Sequence, residues 1–106
     1  MDKNAVVDIV KQYGHAVENQ GIHVSKIVLY GSYAKGNWHD GSDIDIVVIS
    51  DDFAGKKYWD RIDILARATY EVWKPVEAVA MTPEEWERGD SMVVDFARDG
   101  EVVFAD

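Results

Sequence analysis

Residues 30–49 read YGSYAKGNWHDGSDIDIVVI, and this segment joins a Gly-Ser turn to two aspartates. Ten residues separate Gly31-Ser32 from Asp43-Ile44-Asp45. Glycine permits a tight turn and a close approach of backbone to ligand. The free N–H groups at the start of a helix that follows such a turn favour phosphate. An isolated Gly-Ser pair is more often an ordinary turn with a helix cap, so the turn needs support from the aspartates.

The two aspartates lie at the start of an apolar strand. Asp43 and Asp45 are two residues apart, so their side chains leave the strand on the same face. Paired carboxylates repel each other and resist burial unless a cation compensates them. A solvent-exposed acidic strand entrance is the alternative, but the apolar residues directly after Asp45 favour a metal site. Lys35, one helical turn beyond Ser32, can reach a phosphate as a point charge, although a lone surface lysine is more often solvated.

A third acid interrupts a later apolar segment, residues 74–80 (KPVEAVA). If this strand lies beside the strand of Asp43 and Asp45, Glu77 completes a cluster of three carboxylates. If it is an edge strand turned outward, Glu77 faces solvent. Spacing alone leaves both arrangements open.

The motif also constrains the topology. Residues 26–30 (KIVLY) predict a buried strand that ends at the Gly-Ser turn, and residues 43–49 predict the next strand. If the end of the first and the start of the second meet at one site, the two strands are antiparallel. A right-handed crossover between parallel strands would place the two halves of the motif at opposite ends. We therefore expect a mixed sheet and not a Rossmann fold.

The remaining segments predict helices packed on this sheet. Residues 2–20 have apolar positions at helical spacing, and Thr82 with Glu85 forms a capping box. With about four strands, the chain is expected to form a single α/β (α+β) domain over residues 1–106, with a small mixed sheet packed against helices.

A second long helix is expected to end before Pro75. Trp38 and Trp86, which lie elsewhere in the chain, are expected to be exposed and available to a partner. One apolar stripe of the second long helix is expected to face the core. The stripe consists of Trp59, Ile62, Ala66, Thr69 and Trp73.

Charge and composition exclude several classes of function. The 106 residues include 11 basic and 20 acidic residues, a formal charge of -9, and no cysteine. Stable nucleic-acid binding by this chain alone is not expected, whereas a basic protein partner would be attracted. Disulfides, thiolate catalysis and zinc-finger sites are excluded. With neither a membrane-spanning run nor a signal-peptide pattern, a cytoplasmic protein is expected.

The spaced motif resembles that of the nucleotidyltransferase superfamily that includes DNA polymerase beta. Within it, the chain is similar to the minimal nucleotidyltransferases (MNT), small antitoxin partners of HEPN-domain proteins. That pattern is Gly-Ser, ten residues, Asp-x-Asp and a later acid, here Gly31-Ser32, Asp43-Ile44-Asp45 and Glu77. Two positions depart from it: Lys35 stands where arginine is frequent, and the third acid is commonly aspartate.

The resemblance implies a reaction and its residues. Asp43 and Asp45 would coordinate two magnesium ions, and Glu77 would help to bind the second ion and accept a proton. Gly31 and Ser32, with Lys35 nearby, would hold the nucleotide phosphates. Attack at the α-phosphorus would transfer a nucleoside monophosphate and release pyrophosphate. For the antitoxin group, ATP is the implied donor and a tyrosine of the HEPN toxin the implied acceptor.

Two alternatives remain at the level of sequence. Besides a protein adenylyltransferase, the chain could be a binding-only antitoxin with a non-catalytic site. It could also be a nucleotidyltransferase subunit that modifies a small molecule or RNA with a separate substrate-binding subunit. The intact motif favours catalysis over binding alone. The small, acidic chain offers little surface for those other acceptors. Base preference and homo- or hetero-oligomeric state are not determined.

Overall fold

A computed structural model describes residues 1–105. Helices alternate with strands along these residues except before the last strand, where two short helices follow one another, and a short 3-10 turn lies at Asp51–Phe53. The helices are α1 (Lys3–Glu18), α2 (Ser32–Lys35), α3 (Tyr58–Val72), α4 (Pro83–Arg88) and α5 (Met92–Ala97). The strands are β1 (Lys26–Tyr30), β2 (Ile44–Ile49), β3 (Val76–Met81) and β4 (Glu101–Ala105). No helix within residues 1–105 has the length and apolar character needed to cross a membrane.

The strands form a mixed sheet in the order β3-β2-β1-β4. Strand β1 is antiparallel to both β2 and β4, and β2 is parallel to β3. In this register Tyr30, the last residue of β1, lies opposite Asp45 near the start of β2. The predicted antiparallel pairing and the mixed α/β sheet are therefore confirmed.

Strand β2 is buried on both faces. Ile44, Ile46 and Val48 pack into the larger cluster with α1 and α3, whereas Val47 and Ile49 pack into a smaller cluster with residues of α4 and α5. Side chains alternate between the faces of a strand, so one apolar run serves both clusters. Only the start of the strand, at Asp43 and Asp45, is polar.

The helix starts agree with the sequence signals. The Asp2 side chain accepts a hydrogen bond from the Ala5 amide at the start of α1. At α4, Thr82 Oγ1 accepts from the Glu85 amide, and Glu85 Oε1 accepts from the Thr82 amide, which completes the predicted capping box.

The predicted core stripe of α3 is wrong. Leu65 and Ala68 are the buried residues of this helix, whereas Trp59 and Trp73 are exposed. The orientation of α3 is set by α1, because the Tyr13 hydroxyl donates to the Leu65 carbonyl oxygen at 2.8 Å. This contact turns the Leu65 side of the helix inward and leaves both tryptophans facing solvent.

The other two tryptophans also differ from expectation. Trp38 packs against the larger cluster and stacks on Tyr33, with ring centroids 5.4 Å apart. Trp86 packs against the smaller cluster, and the Lys26 ammonium lies 5.6 Å from its ring centroid. Both tryptophans were expected to be exposed. A residue of a loop or of a short helix can still pack on the sheet where few other side chains cover it.

Candidate active site

The Gly-Ser turn is built where β1 meets α2. Gly31 has φ 75° and ψ −154°, a backbone conformation that is available almost only to glycine. A Cβ atom at this position would clash with Oδ2 of Asp45. The structure therefore brings the two halves of the motif into contact, and the missing side chain of Gly31 is what permits it.

Three carboxylates meet at this end of the sheet; we call Asp43, Asp45 and Glu77 the carboxylate cluster. Asp43 is exposed and directly precedes β2, while Asp45 is half-buried within it. Glu77 pairs with Asp45 in the parallel register of β2 and β3. Neighbouring strands lie about 4.8 Å apart, so these two side chains leave the sheet side by side.

The structure combines the two arrangements that the sequence left open for Glu77. Strand β3 is an edge strand and Glu77 is exposed, yet it lies beside the aspartates.

The carboxylate cluster is electrostatically strained. The charge of Asp43, then hydrogen bonding with it and the charge of Asp45, raise the pKa of Glu77 above its usual value. Burial raises the pKa of Asp45, a hydrogen bond with Glu77 opposes this, and the charge of Asp43 adds to the rise. Full ionisation of all three groups is thus unfavourable without a compensating cation.

The carboxylate cluster has the ligand types of a magnesium site, but its side chains are not arranged around a common metal position. Carboxylate oxygens are ligands that magnesium prefers, and this ion keeps several non-protein ligands. Across residues 1–105, however, no group of three or more histidine, aspartate or glutamate side chains is arranged so that it could hold a metal ion. The residues fit the ion by donor type and by their mutual repulsion, and the predicted coordination by Asp43, Asp45 and Glu77 stays a prediction.

The predicted phosphate-binding residues flank the same turn. Ser32 begins α2, and Lys35 lies one turn later, where its amide donates to the Gly31 carbonyl oxygen at 3.1 Å. Because α2 has only four residues, its dipole is small. Phosphate binding here would depend on the Ser32 hydroxyl, on backbone amides and on the exposed Lys35 ammonium.

The spacer between the halves of the motif is folded onto itself. The His39 amide donates to Ser42 Oγ at 3.0 Å, and the Ser42 amide donates back to the His39 carbonyl oxygen at 3.0 Å. The stacked Tyr33 and Trp38 rings fix the first part of this loop against the core. The spacer therefore holds Asp43 at a defined place relative to the Gly-Ser turn.

Tyr30 is a site residue that the sequence reasoning did not single out. Burial and the charges of Asp45 and Glu77 raise the pKa of its phenol, so its hydroxyl is kept protonated beside the carboxylates. The place of Tyr30 could have been predicted from the antiparallel pairing of β1 and β2, because the residue before Gly31 then lies opposite Asp45.

Comparisons with known proteins fit this geometry. The family model described as nucleotidyltransferase domain matches residues 7–101. No curated protein matches the chain. A crystal structure from Sulfolobus solfataricus, of a protein assigned as a nucleotidyltransferase, superposes with a TM-score of 0.71 at 19% identity, covering 94% of this chain and 80% of that one.

Two toxin-antitoxin crystal structures have the same fold. One, with AMP-PNP, has a TM-score of 0.58 at 21% identity, covering 100% of this chain and 75% of that chain. The other, a mutant of the toxin-antitoxin MntA-HpeT, has a TM-score of 0.57 at 19% identity with the same coverage of 100% and 75%.

Proposed function

The chain belongs to the nucleotidyltransferase domain family, and from this premise we propose that it transfers AMP from ATP to a hydroxyl of a partner protein. Membership confirms the superfamily that the spaced motif indicated, and the toxin-antitoxin structures fit the MNT group by fold. The observation that carries the proposal is the contact between the Gly31 turn and Asp45, with Asp43 and Glu77 beside them.

The donor is inferred from likeness. One toxin-antitoxin structure of this fold was solved with AMP-PNP, an analogue of ATP, which supports an adenine nucleotide as donor. A reaction that consumes ATP is expected to take place in the cytoplasm. The proposed choice of adenine as the base rests on this likeness.

Each group of the site has a chemical task in such a transfer. Backbone amides and the hydroxyl at Gly31-Ser32 bind the β- and γ-phosphates, and Lys35 adds a positive charge. Magnesium, held by the carboxylate cluster, would neutralise charge on the phosphate oxygens. Glu77, with its raised pKa, accepts the proton of the attacking hydroxyl. A bond forms from that oxygen to the α-phosphorus as the bond to pyrophosphate breaks.

The acceptor is proposed to be the toxin of a HEPN/MNT pair. The net charge of -9 favours a basic partner over a nucleic acid. The fold shared with two toxin-antitoxin structures points in the same direction. The chain would then be an antitoxin that inactivates its partner by adenylylation.

Binding of nucleotide with metal tests the donor half of this proposal. AMP-PNP together with magnesium, at about 100-fold above its dissociation constant, should stabilise the protein by about 2.7 kcal/mol, measured as a rise in melting temperature. Asp43→Asn should abolish this rise, because it removes one carboxylate from the cluster.

Asp51→Asn is the matched control for that experiment, since Asp51 follows the opposite end of β2. It should keep the full rise. A rise that persists in Asp43→Asn, or that needs no divalent ion, would contradict the assigned site.

A further inference from the structure

Tyr30, Asp45 and Glu77 form one row of side chains across three neighbouring strands. Tyr30 at the end of β1 pairs with Asp45 of β2, and Asp45 pairs with Glu77 of β3. Residues paired in this way leave the sheet on the same face, from strands about 4.8 Å apart. The packing agrees, because Tyr30 contacts the smaller cluster, to which Val47 of β2 and Val79 of β3 also contribute. The row therefore runs in the order Tyr30, Asp45, Glu77.

The two ends of this row differ in what lies beside them. Tyr30 directly precedes Gly31, and it borders the same small recess beside the turn as Lys35. Glu77 lies two strands away, on the edge strand β3. The half-buried phenol is thus at the phosphate-binding end of the row, and the exposed carboxylate is at the end open to an acceptor.

The order of the row matches the order of the reacting groups in the proposed transfer. The pyrophosphate part of the nucleotide is bound at Gly31 and Ser32, and Glu77 accepts the proton of the attacking hydroxyl. In phosphoryl transfer the attacking and leaving oxygens lie roughly in line on opposite sides of the phosphorus. The attacking hydroxyl is then at the Glu77 end, the α-phosphorus is near Asp45, and the leaving oxygen is at the Tyr30 end.

We propose that Tyr30 is a catalytic residue whose hydroxyl donates a hydrogen bond to the leaving pyrophosphate, an inference that rests on the proposed function. The bond from the acceptor oxygen to the α-phosphorus forms as the bond to pyrophosphate breaks, and the electron pair of that bond stays on the pyrophosphate oxygen. The proton of the acceptor goes to Glu77. A phenol titrates near pH 10, so Tyr30 keeps its own proton at neutral pH and acts only as a donor.

This hydrogen bond would act mainly in the transition state. Negative charge grows on the leaving oxygen as the bond to phosphorus breaks, and a donor already in place stabilises that charge more than it stabilises bound ATP. A hydrogen bond to a charged group changes a rate or an affinity by roughly 10- to 100-fold. Tyr30→Phe removes the donor while the ring that packs on the smaller cluster is kept.

Binding of pyrophosphate with magnesium, measured by calorimetry, tests the contact without any acceptor. Tyr30→Phe should weaken this binding roughly 10-fold, because the free pyrophosphate carries the charge that the phenol stabilises. Tyr70→Phe is the matched control, since Tyr70 is 76% exposed and lies on α3, which packs on the opposite face of the sheet. This control should bind pyrophosphate as the wild type does. Equal affinities of the wild type and Tyr30→Phe would overturn the proposal, as would a wild type that binds no pyrophosphate.

The dependence of transfer on the leaving group separates a catalytic role from a structural one. With ATP, Tyr30→Phe should lower kcat roughly 10- to 100-fold and change KM little. The loss should be larger with the β,γ-methylene analogue of ATP, whose leaving group is more basic, and smaller with the β,γ-difluoromethylene analogue, whose leaving group is less basic than the methylene one. A residue that only supports the fold would lower all three rates by the same factor, and that result would contradict the proposal.

The two experiments also distinguish this inference from the proposed function. If the wild type binds pyrophosphate with magnesium but transfers no nucleotide, the proposed function fails, and the affinity of Tyr30→Phe still decides whether the phenol contacts pyrophosphate. If the wild type transfers nucleotide and Tyr30→Phe matches it in both assays, the proposed function stands and the role of Tyr30 is wrong.

Discussion

Replacing Asp45 by asparagine is expected to lower the rate of nucleotide transfer by about 1,000-fold, because several kcal/mol of charge stabilisation depend on the metal site. Asparagine keeps the shape of the side chain, so the contact with the Gly31 turn is preserved while the charge is lost. Transfer is measured as pyrophosphate released from ATP in the presence of magnesium and acceptor. Asp51→Asn, at the other end of β2, should transfer at the wild-type rate.

The same substitution should stabilise the metal-free protein. The pKa of Asp45 is raised in the folded state, so the ionised carboxylate costs stability at every pH above its folded pKa. Asp45→Asn should therefore raise the free energy of unfolding at neutral pH, because it removes a charge that burial, and then the charge of Asp43, makes unfavourable. The gain should vanish in acid, where the wild-type carboxylate is protonated both folded and unfolded.

Denaturant unfolding with a chelator, at neutral and at acidic pH, measures this difference. Lost transfer together with lost stability would indicate that Asp45 supports the fold and not the reaction.

Gly31→Ala is expected to damage both stability and activity. The backbone at φ 75° and ψ −154° strains any residue with a Cβ, and the added atom would clash with Oδ2 of Asp45. We expect a loss of about 2 kcal/mol in the free energy of unfolding, from backbone strain of that order. Displacing Asp45 should lower the transfer rate by roughly 100-fold, as misplacement by about 1 Å does at other active sites.

Gly21→Ala provides the control for backbone strain. Gly21 has φ +87°, and an added Cβ would have no atom within 4 Å. This variant should lose stability but transfer at the wild-type rate. If Gly31→Ala and Gly21→Ala behaved alike in the transfer assay, the contact between Gly31 and Asp45 would have no catalytic importance.

The motif was enough to predict the centre of the fold. Gly31 and Asp45 had to meet, and that requirement alone predicted the antiparallel pairing of β1 and β2. The place of Glu77 could not be predicted in this way, because it depends on the parallel pairing of β2 with β3, a contact between distant segments. Spacing within one strand carries no information on which strand lies beside it.

The buried side of α3 could not be predicted from periodicity. This helix has two apolar stripes, one with Leu65 and Ala68 and the other with Trp59 and Trp73. The larger side chains made the second stripe the natural choice for a core. The hydrogen bond from Tyr13 on α1 to Leu65 selects the first stripe, and that contact joins residues 52 positions apart.

The most direct test of the central claim is the intact mass of the acceptor. This chain is mixed with ATP, magnesium and a HEPN-type toxin, the proposed partner, and the mass of that partner is measured. The partner should gain one adenylyl group with the wild type and none with Asp45→Asn. A partner that forms a complex with the wild type but keeps its mass would contradict the account, and would make this chain an antitoxin that acts by binding alone.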